Sequence, residues 1–284
     1  MRFSVSSLLA GGLVAAASMV PLSVPALADD QPFLTLYTTD IDAQGERELE
    51  QFFIWKGGHA NAAFNEFETR SEFEYGITDD LQGSLYLNYD WSRERAHSPL
   101  GLPQSDSNLS VSGELIWRVM NVYFDPIGLA FYVEPAIGTH ERSFETKVLM
   151  QKNFFNDTLR TALNVNLEDR WEHDPSGHWN EGSALEFDLG ASYNITPIWS
   201  VGLEFDNERG FDGEVIGTDQ RPVTNSFYLG PTVQYIGRPF TITLGAQTQL
   251  PIASDPTHSP GNVVDGLTAT DEHFRAILRL TTDF

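Results

Sequence analysis

The 284-residue sequence predicts an all-β fold, a transmembrane antiparallel up-and-down β-barrel of about twelve strands with both termini periplasmic. Three observations lead there. Apolar and polar residues alternate with a period of two along most of the chain, and no segment sustains a helical period. The connections between these segments alternate between long and short, as outer loops and periplasmic turns do. Aromatic residues collect at both ends of the segments, where two membrane interfaces would lie.

The first element is not part of the barrel. MRFSVSS carries one positive charge, LLAGGLVAAASMV is apolar, and PLSVPALA ends in the A-x-A site Ala26-Leu27-Ala28. This pattern predicts a secretory signal peptide over residues 1–28, cleaved after Ala28. Pro21, Pro25, Asp29 and Asp30 argue against a membrane anchor. The absence of cysteine excludes a lipoprotein anchor and disulfides. Residues 29–45 then form a periplasmic or lumenal segment, and 46–284 the barrel. The stretch QPFLTLYTTDIDAQ is expected to fold back and narrow the periplasmic mouth.

The predicted strands cover 46–55, 63–76, 81–92, 109–119, 127–139, 142–154, 158–171, 183–195, 198–208, 226–236, 240–250 and 273–284. Each is near the roughly 9–11 residues that a tilted strand needs to cross a bilayer. GSLYLNYDWS shows the pattern: Leu85, Leu87, Tyr89 and Trp91 share one face, Ser84, Tyr86, Asn88 and Asp90 the other. KGGHANA, RERAHSPLGLPQSDS, EHDPSGHWNEG, NERGFDGEVIGTDQRPVTN and PIASDPTHSPGNVVDGLTATDE read as long loops, with HE as a short exception among them. Tyr75, Trp117, Phe154, Tyr193, Trp199, Tyr235, Phe240 and Phe284 fall beside short turns. Trp55, Trp91, Trp171, Phe205 and Phe227 fall near the opposite ends. HFRAILRLTTDF places Phe284 in the girdle of a closing strand, like the C-terminal aromatic that the outer-membrane barrel-assembly machinery reads.

Composition limits the partners. The formal charge is -23, and loss of Arg2 with the signal makes the mature chain about -24. Phosphate would be repelled, so nucleic acid is excluded. The barrel's surroundings would be outer-membrane lipid and lipopolysaccharide.

The segments YTTDIDAQGERELEQFFIWKGG, EFEYGITDDLQGSLYLNY, FDPIGLAFYVEPAIG, LMQKNFFND and LGASYNITPIWSVGLEF resemble a family of Gram-negative outer-membrane β-barrel proteins of unknown function. The resemblance spans most of the mature chain. It implies fold and location, and carries no activity and no catalytic residues.

Strand parity predicts an acidic lumen. Its candidate cation-binding residues are Glu66, Glu68, Glu72, Glu74, Asp90, Glu114, Glu134, Glu186, Asp188, Glu204 and Asp206. The inward bases include Arg70, Arg118, Arg160, Arg275 and Arg279. With Glu48, Glu208 and Asp283 discounted as strand-end residues, carboxylates still outnumber bases too heavily for one-to-one pairing in a dry interior. Water, protonation or bound cations must answer the excess. Twelve strands lie between a filled barrel and an open pore. Two readings therefore stand: a narrow passive channel for small cationic or neutral solutes, and a closed barrel that presents acidic, His-containing outer loops to a metal or surface ligand.

All seven histidines map to outer loops or outer strand ends. In EHDPSGHW, His173 and His178 lie near carboxylates and are metal candidates, although their spacing matches no zinc motif. His140 and Ser143 in GTHERS are the nearest approach to a base and nucleophile. Two polar residues near a short loop are commonplace, so the chain is read as a non-enzyme that needs no cofactor.

Overall fold

The computed structural model describes residues 31–96, 102–173, 177–213, 215, 221–257 and 261–284. The expected signal peptide and its cleavage site lie outside these residues, as do His97, Asp174 and His258. No helix occurs among the described residues.

Twelve barrel strands run in chain order: β1 (Arg47–His59), β2 (Ala62–Thr78), β3 (Leu81–Ala96), β4 (Gln104–Met120), β5 (Gly128–Gly138), β6 (Glu141–Phe154), β7 (Leu159–His173), β8 (Trp179–Thr196), β9 (Trp199–Asp212), β10 (Ser226–Tyr235), β11 (Thr241–Gln249) and β12 (Phe274–Asp283). Each pairs antiparallel with the next. β12 returns to β1 in a register from Gly57↔Phe274 to Glu48↔Asp283, and this closes the ring. The closing strand is used to its last residue: the Phe284 N–H donates to the Arg47 carbonyl at 3.2 Å. The Phe284 ring lies 6.2 Å from that of Phe73.

The alternation sorts side chains between two faces, and the apolar set faces outward. On β4, Leu109, Val111, Leu115 and Trp117 are exposed while Ser110, Ser112 and Glu114 are buried. On β3, Leu85, Leu87, Tyr89 and Trp91 are exposed beside buried Gln82, Ser84 and Tyr86. A soluble barrel would reverse this arrangement, because apolar surface is costly in water. A bilayer accepts it, and closure leaves no strand edge unpaired in the hydrocarbon. Aromatic rings mark both ends of the apolar band. Trp199 and Tyr235 lie 4.8 Å apart at one end, and Phe205 and Phe227 lie 6.2 Å apart toward the other.

Several strands are longer than the alternation predicts, and most of the excess lies at the long-loop end. β3, β4, β7, β8 and β9 extend into the expected loops. KGGHANA is no long loop: pairing continues to His59↔Ala62, which leaves a two-residue turn at 60–61. EHDPSGHWNEG likewise contributes to a hairpin that pairs as far as His173↔Trp179. Beyond the bilayer both faces of a strand meet water, so alternation ceases while backbone pairing continues. The connection 250–273 carries its own short pairing, Val263–Val264 with Leu267–Thr268. It packs against the rim: Ser226 donates to Thr268 at 2.6 Å, and Thr268 and Ala269 are buried.

Candidate functional site: the lumen and the segment inside it

Residues 31–46 precede β1 and lie within the barrel, where they reach all twelve strands. Phe33, Leu34, Leu36 and Ile41 are buried against inward-facing apolar side chains. Leu34 packs with Phe52 and Ile54 of β1 and Ile277 of β12. Phe33 and Leu36 pack with Ala162 of β7. Ile41 and Tyr37 join Ile116, Ala130, Tyr132 and Leu149 of β4 to β6. On β8, Gly190 makes room for Leu36 and Phe33, since a Cβ there would come within 2.4 Å and 2.7 Å of them.

An extended segment inside a barrel must satisfy its backbone groups without a neighbouring strand. Lumenal side chains supply the partners. Asn164 of β7 accepts from the Tyr37 N–H at 2.7 Å and donates to the Tyr37 carbonyl at 2.9 Å. Gln151 of β6 accepts from the Thr39 N–H at 2.7 Å, and Gln82 of β3 accepts from the Asp42 N–H at 2.7 Å. Glu204 of β9 accepts from the N–H groups of Leu34 and Thr35 at 2.5 Å and 3.4 Å. On the carbonyl side, Gln234 of β10 donates to Gln31 at 2.9 Å and Thr232 to Pro32 at 3.1 Å. Thr243 of β11 reaches the Gln31 carbonyl at 3.4 Å. Arg279 of β12 donates to the carbonyls of Gln31 and Phe33. Near the short-turn end, the Gly45 N–H meets the Gly76 carbonyl of β2 at 2.8 Å.

Tyr37 is the polar centre of the segment. Its hydroxyl lies 3.2 Å from that of Tyr86 and donates to Glu114 at 3.4 Å; Tyr86 donates to the same carboxylate oxygen at 2.6 Å. Burial, then the charges of Glu114, Glu72 and Glu134, push the Tyr37 phenol well above its ordinary range. It therefore remains a donor. The Lys147 ammonium sits 4.7 Å from the Tyr37 ring and 4.5 Å from that of Tyr132, and 3.2 Å from Glu145.

The predicted lumen residues occupy the inner face in several distinct settings. Glu72, Glu74, Glu114, Asp188, Glu204 and Asp206 are buried, and Arg275 and Arg279 are buried with them. Glu66 and Glu68 are half-buried around Lys56, while Arg70 is more open and 3.6 Å from Glu68. Asp90, Glu134 and Glu186 are half-buried; Glu134 accepts from the Tyr132 hydroxyl, and Asn166 bridges Glu186 and Asp188 at 3.3 Å and 2.6 Å. Arg118 is half-buried at the β2–β3 turn, 3.5 Å from Asp80. Arg160 is half-buried near the start of β7. Two of the three strand-end residues discounted in the sequence belong inside: Glu48 is buried and Glu208 pairs with Arg275, whereas Asp283 is exposed.

Like charges stand opposite one another. Asp188↔Asp206 and Glu186↔Glu208 face across β8 and β9. Glu134↔Glu145 and Glu145↔Glu168 run across β5, β6 and β7. Glu48↔Glu74 and Glu50↔Glu72 join β1 and β2. Directly opposed like charges are unfavourable by themselves. Arg275 answers part of one ladder: it contacts Asp206 at 2.7 Å and Glu208 at 2.6 Å, and its guanidinium lies 4.1 Å from the Tyr228 ring centre.

Sequence parity misses the inward apolar residues. Phe52, Ile54, Ile116, Leu149 and Ile277 lie on the face expected to be polar. Each is an exception to polar-in alternation, and each seats part of segment 31–46. That exception is the signal from which the seat could have been found.

Among the described residues the metal candidates His173 and His178 join no group of three or more ligating side chains. His59 stacks on Phe64 at 3.9 Å, His173 meets Trp179 edge-on at 5.0 Å, and His178 is exposed. His140 occupies the β5–β6 turn, and Ser143 follows on β6 opposite Arg170.

A closed twelve-stranded ring with an apolar exterior and charged interior defines an outer-membrane β-barrel protein of the bacterial cell. The chain belongs to the family of unknown function DUF6662, whose model matches residues 25–282. No curated protein sequence matches it. Among solved structures it is similar to the COG4313 outer membrane channel from Pseudomonas putida F1, with 13% identity and a TM-score of 0.60 over 90% of this chain and 99% of that one. The β domain of the Bordetella autotransporter BrkA gives 10% identity and 0.55 over 86% and 100%. The NanC porin gives 10% and 0.51 over 84% and 100%. At these identities the likeness concerns the fold.

Proposed function

We propose that this barrel is a narrow passive channel for small cationic or neutral solutes, with an acidic lumen whose free cross-section is set by segment 31–46. The like-charge ladder of Glu186, Asp188, Asp206 and Glu208 carries this reading. Facing carboxylates in a low-dielectric wall attract cations and repel anions. The termini are assigned to the periplasmic side, where the short turns lie, and Phe284 to recognition by the assembly machinery. Lipopolysaccharide surrounds the outer rim. No catalytic role is assigned.

The closed-barrel alternative draws on a different observation, the dense bonding of segment 31–46 to the wall. Single-channel recording in a planar bilayer with a salt gradient separates the two. The channel reading expects discrete cation-selective steps in the intact protein, and larger steps when residues 31–44 are deleted. A folded barrel that stays silent in both forms would overturn it in favour of the closed barrel.

A further inference from the structure

Strand β3 carries its alternation past the apolar band. Leu85, Leu87, Tyr89 and Trp91 are exposed on the outward face, and Arg93 and Arg95 continue the same parity toward the long-loop end, exposed as well. Trp91 stands opposite Phe67 of β2, and both rings are exposed where the apolar band ends. Residues two apart on a strand are separated by roughly 7 Å. Arg93 therefore lies one step beyond the aromatic girdle, at head-group depth, and Arg95 one step further.

The neighbours of these arginines are sorted by charge between the two faces. Opposite Arg93 stand Asn65 of β2 and Ser105 of β4, both exposed, and opposite Arg95 stands Ala63. Asn65 accepts the Trp55 indole N–H at 3.3 Å through its Oδ1, which leaves the amide N–H groups as donors. The nearby carboxylates take the other parity: Glu66 lies 3.2 Å from Lys56, Glu94 lies 3.6 Å from His59, and Asp106 stands opposite Ser92. Among the described residues no hydrogen bond or ion pair engages Arg93. By contrast, Arg142 lies 4.9 Å from the centre of the Trp179 ring, and Arg209 donates to Asn207 at 3.0 Å.

We propose that Arg93 and Arg95, with Asn65 and Ser105 as neutral donors, bind a phosphate of lipopolysaccharide on the outer face of β2 to β4, with its acyl chains along Phe67, Tyr89 and Trp91. Arginine suits this ligand, because its planar fork meets two phosphate oxygens at once. Directly opposed residues on paired strands have Cβ atoms about 5 Å apart, so Asn65 and Ser105 flank the Arg93 side chain closely enough to share one anion. In a chain of formal charge -23, a face that sets two guanidiniums against neutral donors only is complementary to an anionic head group. The site rests on the outward orientation of the long loops assigned above. It does not depend on whether the barrel conducts.

The test uses the refolded mature barrel in detergent, mixed with diphosphoryl lipid A, dephosphorylated lipid A or phosphatidylglycerol and read by native mass spectrometry. Diphosphoryl lipid A should bind roughly 10-fold more tightly than either of the others, and Arg93→Ala with Arg95→Ala should remove that advantage. Both side chains are exposed, so the double variant should fold. Arg93→Lys keeps the charge without the fork and should lose part of the advantage. Replacing Arg238, exposed in the β10–β11 turn at the opposite end, by alanine should change nothing. Equal binding of dephosphorylated lipid A, or an advantage undiminished in the double variant, would overturn the site. Phosphatidylglycerol bound as tightly as lipid A through the same arginines would overturn the assignment to lipopolysaccharide. Orientation is read separately, by labelling an Asn61→Cys reporter on whole cells with a membrane-impermeant maleimide. Labelling without a lipid A preference would sink the site alone, and no labelling would sink the orientation on which it rests.

Discussion

Asn164 and Tyr37, separated by 127 residues, make the two hydrogen bonds of a sheet rung with a side chain in place of a strand: the amide accepts the Tyr37 N–H at 2.7 Å and donates to its carbonyl at 2.9 Å. Replacing Asn164 by Ala leaves both Tyr37 groups buried without partners. The loss weakens docking of the segment by about 2 kcal/mol, or roughly 30-fold in the displaced fraction. The chain has no native cysteine, so a Thr38→Cys reporter gives a clean readout. Its labelling rate should rise by that order in Asn164→Ala, with barrel stability little changed.

Gly190 tests the same docking by steric means. A leucine there would meet Leu36 and Phe33 at distances that real side chains do not adopt. Because the clashing atoms belong to the segment and not to the wall, the segment should be expelled while the barrel still closes. Gly190→Leu should keep the heat-modifiable gel mobility of a folded barrel, expose residues 31–46 to protease, and raise conductance toward that of the 31–44 deletion.

Arg275 holds Asp206 and Glu208 together inside the wall. Arg275→Ala leaves buried Asp206 and half-buried Glu208 without their cation, at a cost of about 3 kcal/mol. The expected outcome is a marked fall in the denaturant midpoint of the refolded barrel. Replacing Arg275 together with Asp206→Asn and Glu208→Gln should recover much of the loss. Failure of that recovery would mean that packing against Tyr228, and not charge, dominates.

Selectivity is best probed away from the segment. Glu204 accepts the N–H groups of Leu34 and Thr35, so its substitution would change docking and charge together. Glu186→Gln with Glu208→Gln removes an opposed pair without touching those bonds. Cation preference, read from the reversal potential, should fall. Unchanged selectivity would remove this ladder from the permeation path.

Phe284 takes part in closing the ring, and its proposed recognition by the assembly machinery can be tested separately. Its ring neighbours Phe73, and its N–H pairs with Arg47. Phe284→Ala should refold in detergent with a small loss of stability. In cells it should give a much lower yield of folded barrel in the outer membrane, measured by heat-modifiable mobility. Equal yields would show that the C-terminal aromatic is not read.

Period-two alternation, together with the long–short loop asymmetry and the aromatic girdles, determined a barrel of about twelve strands and the face each strand residue takes, because a strand reverses its side-chain direction at every residue and a bilayer penalises polar groups on one face only. The positions of Leu85, Glu114 and Trp117 follow from that rule alone. The turn at 60–61 did not, because strand pairing beyond the membrane leaves no mark in alternation. Nor did the seat of segment 31–46. Phe33 meets Ala162, Leu34 meets Ile277 and Tyr37 meets Asn164 only after the ring has closed. Contacts between residues so far apart in the chain have no local periodicity to announce them. Only the closed barrel decides which buried carboxylates share a space, and which side chains complete the backbone of the segment within it.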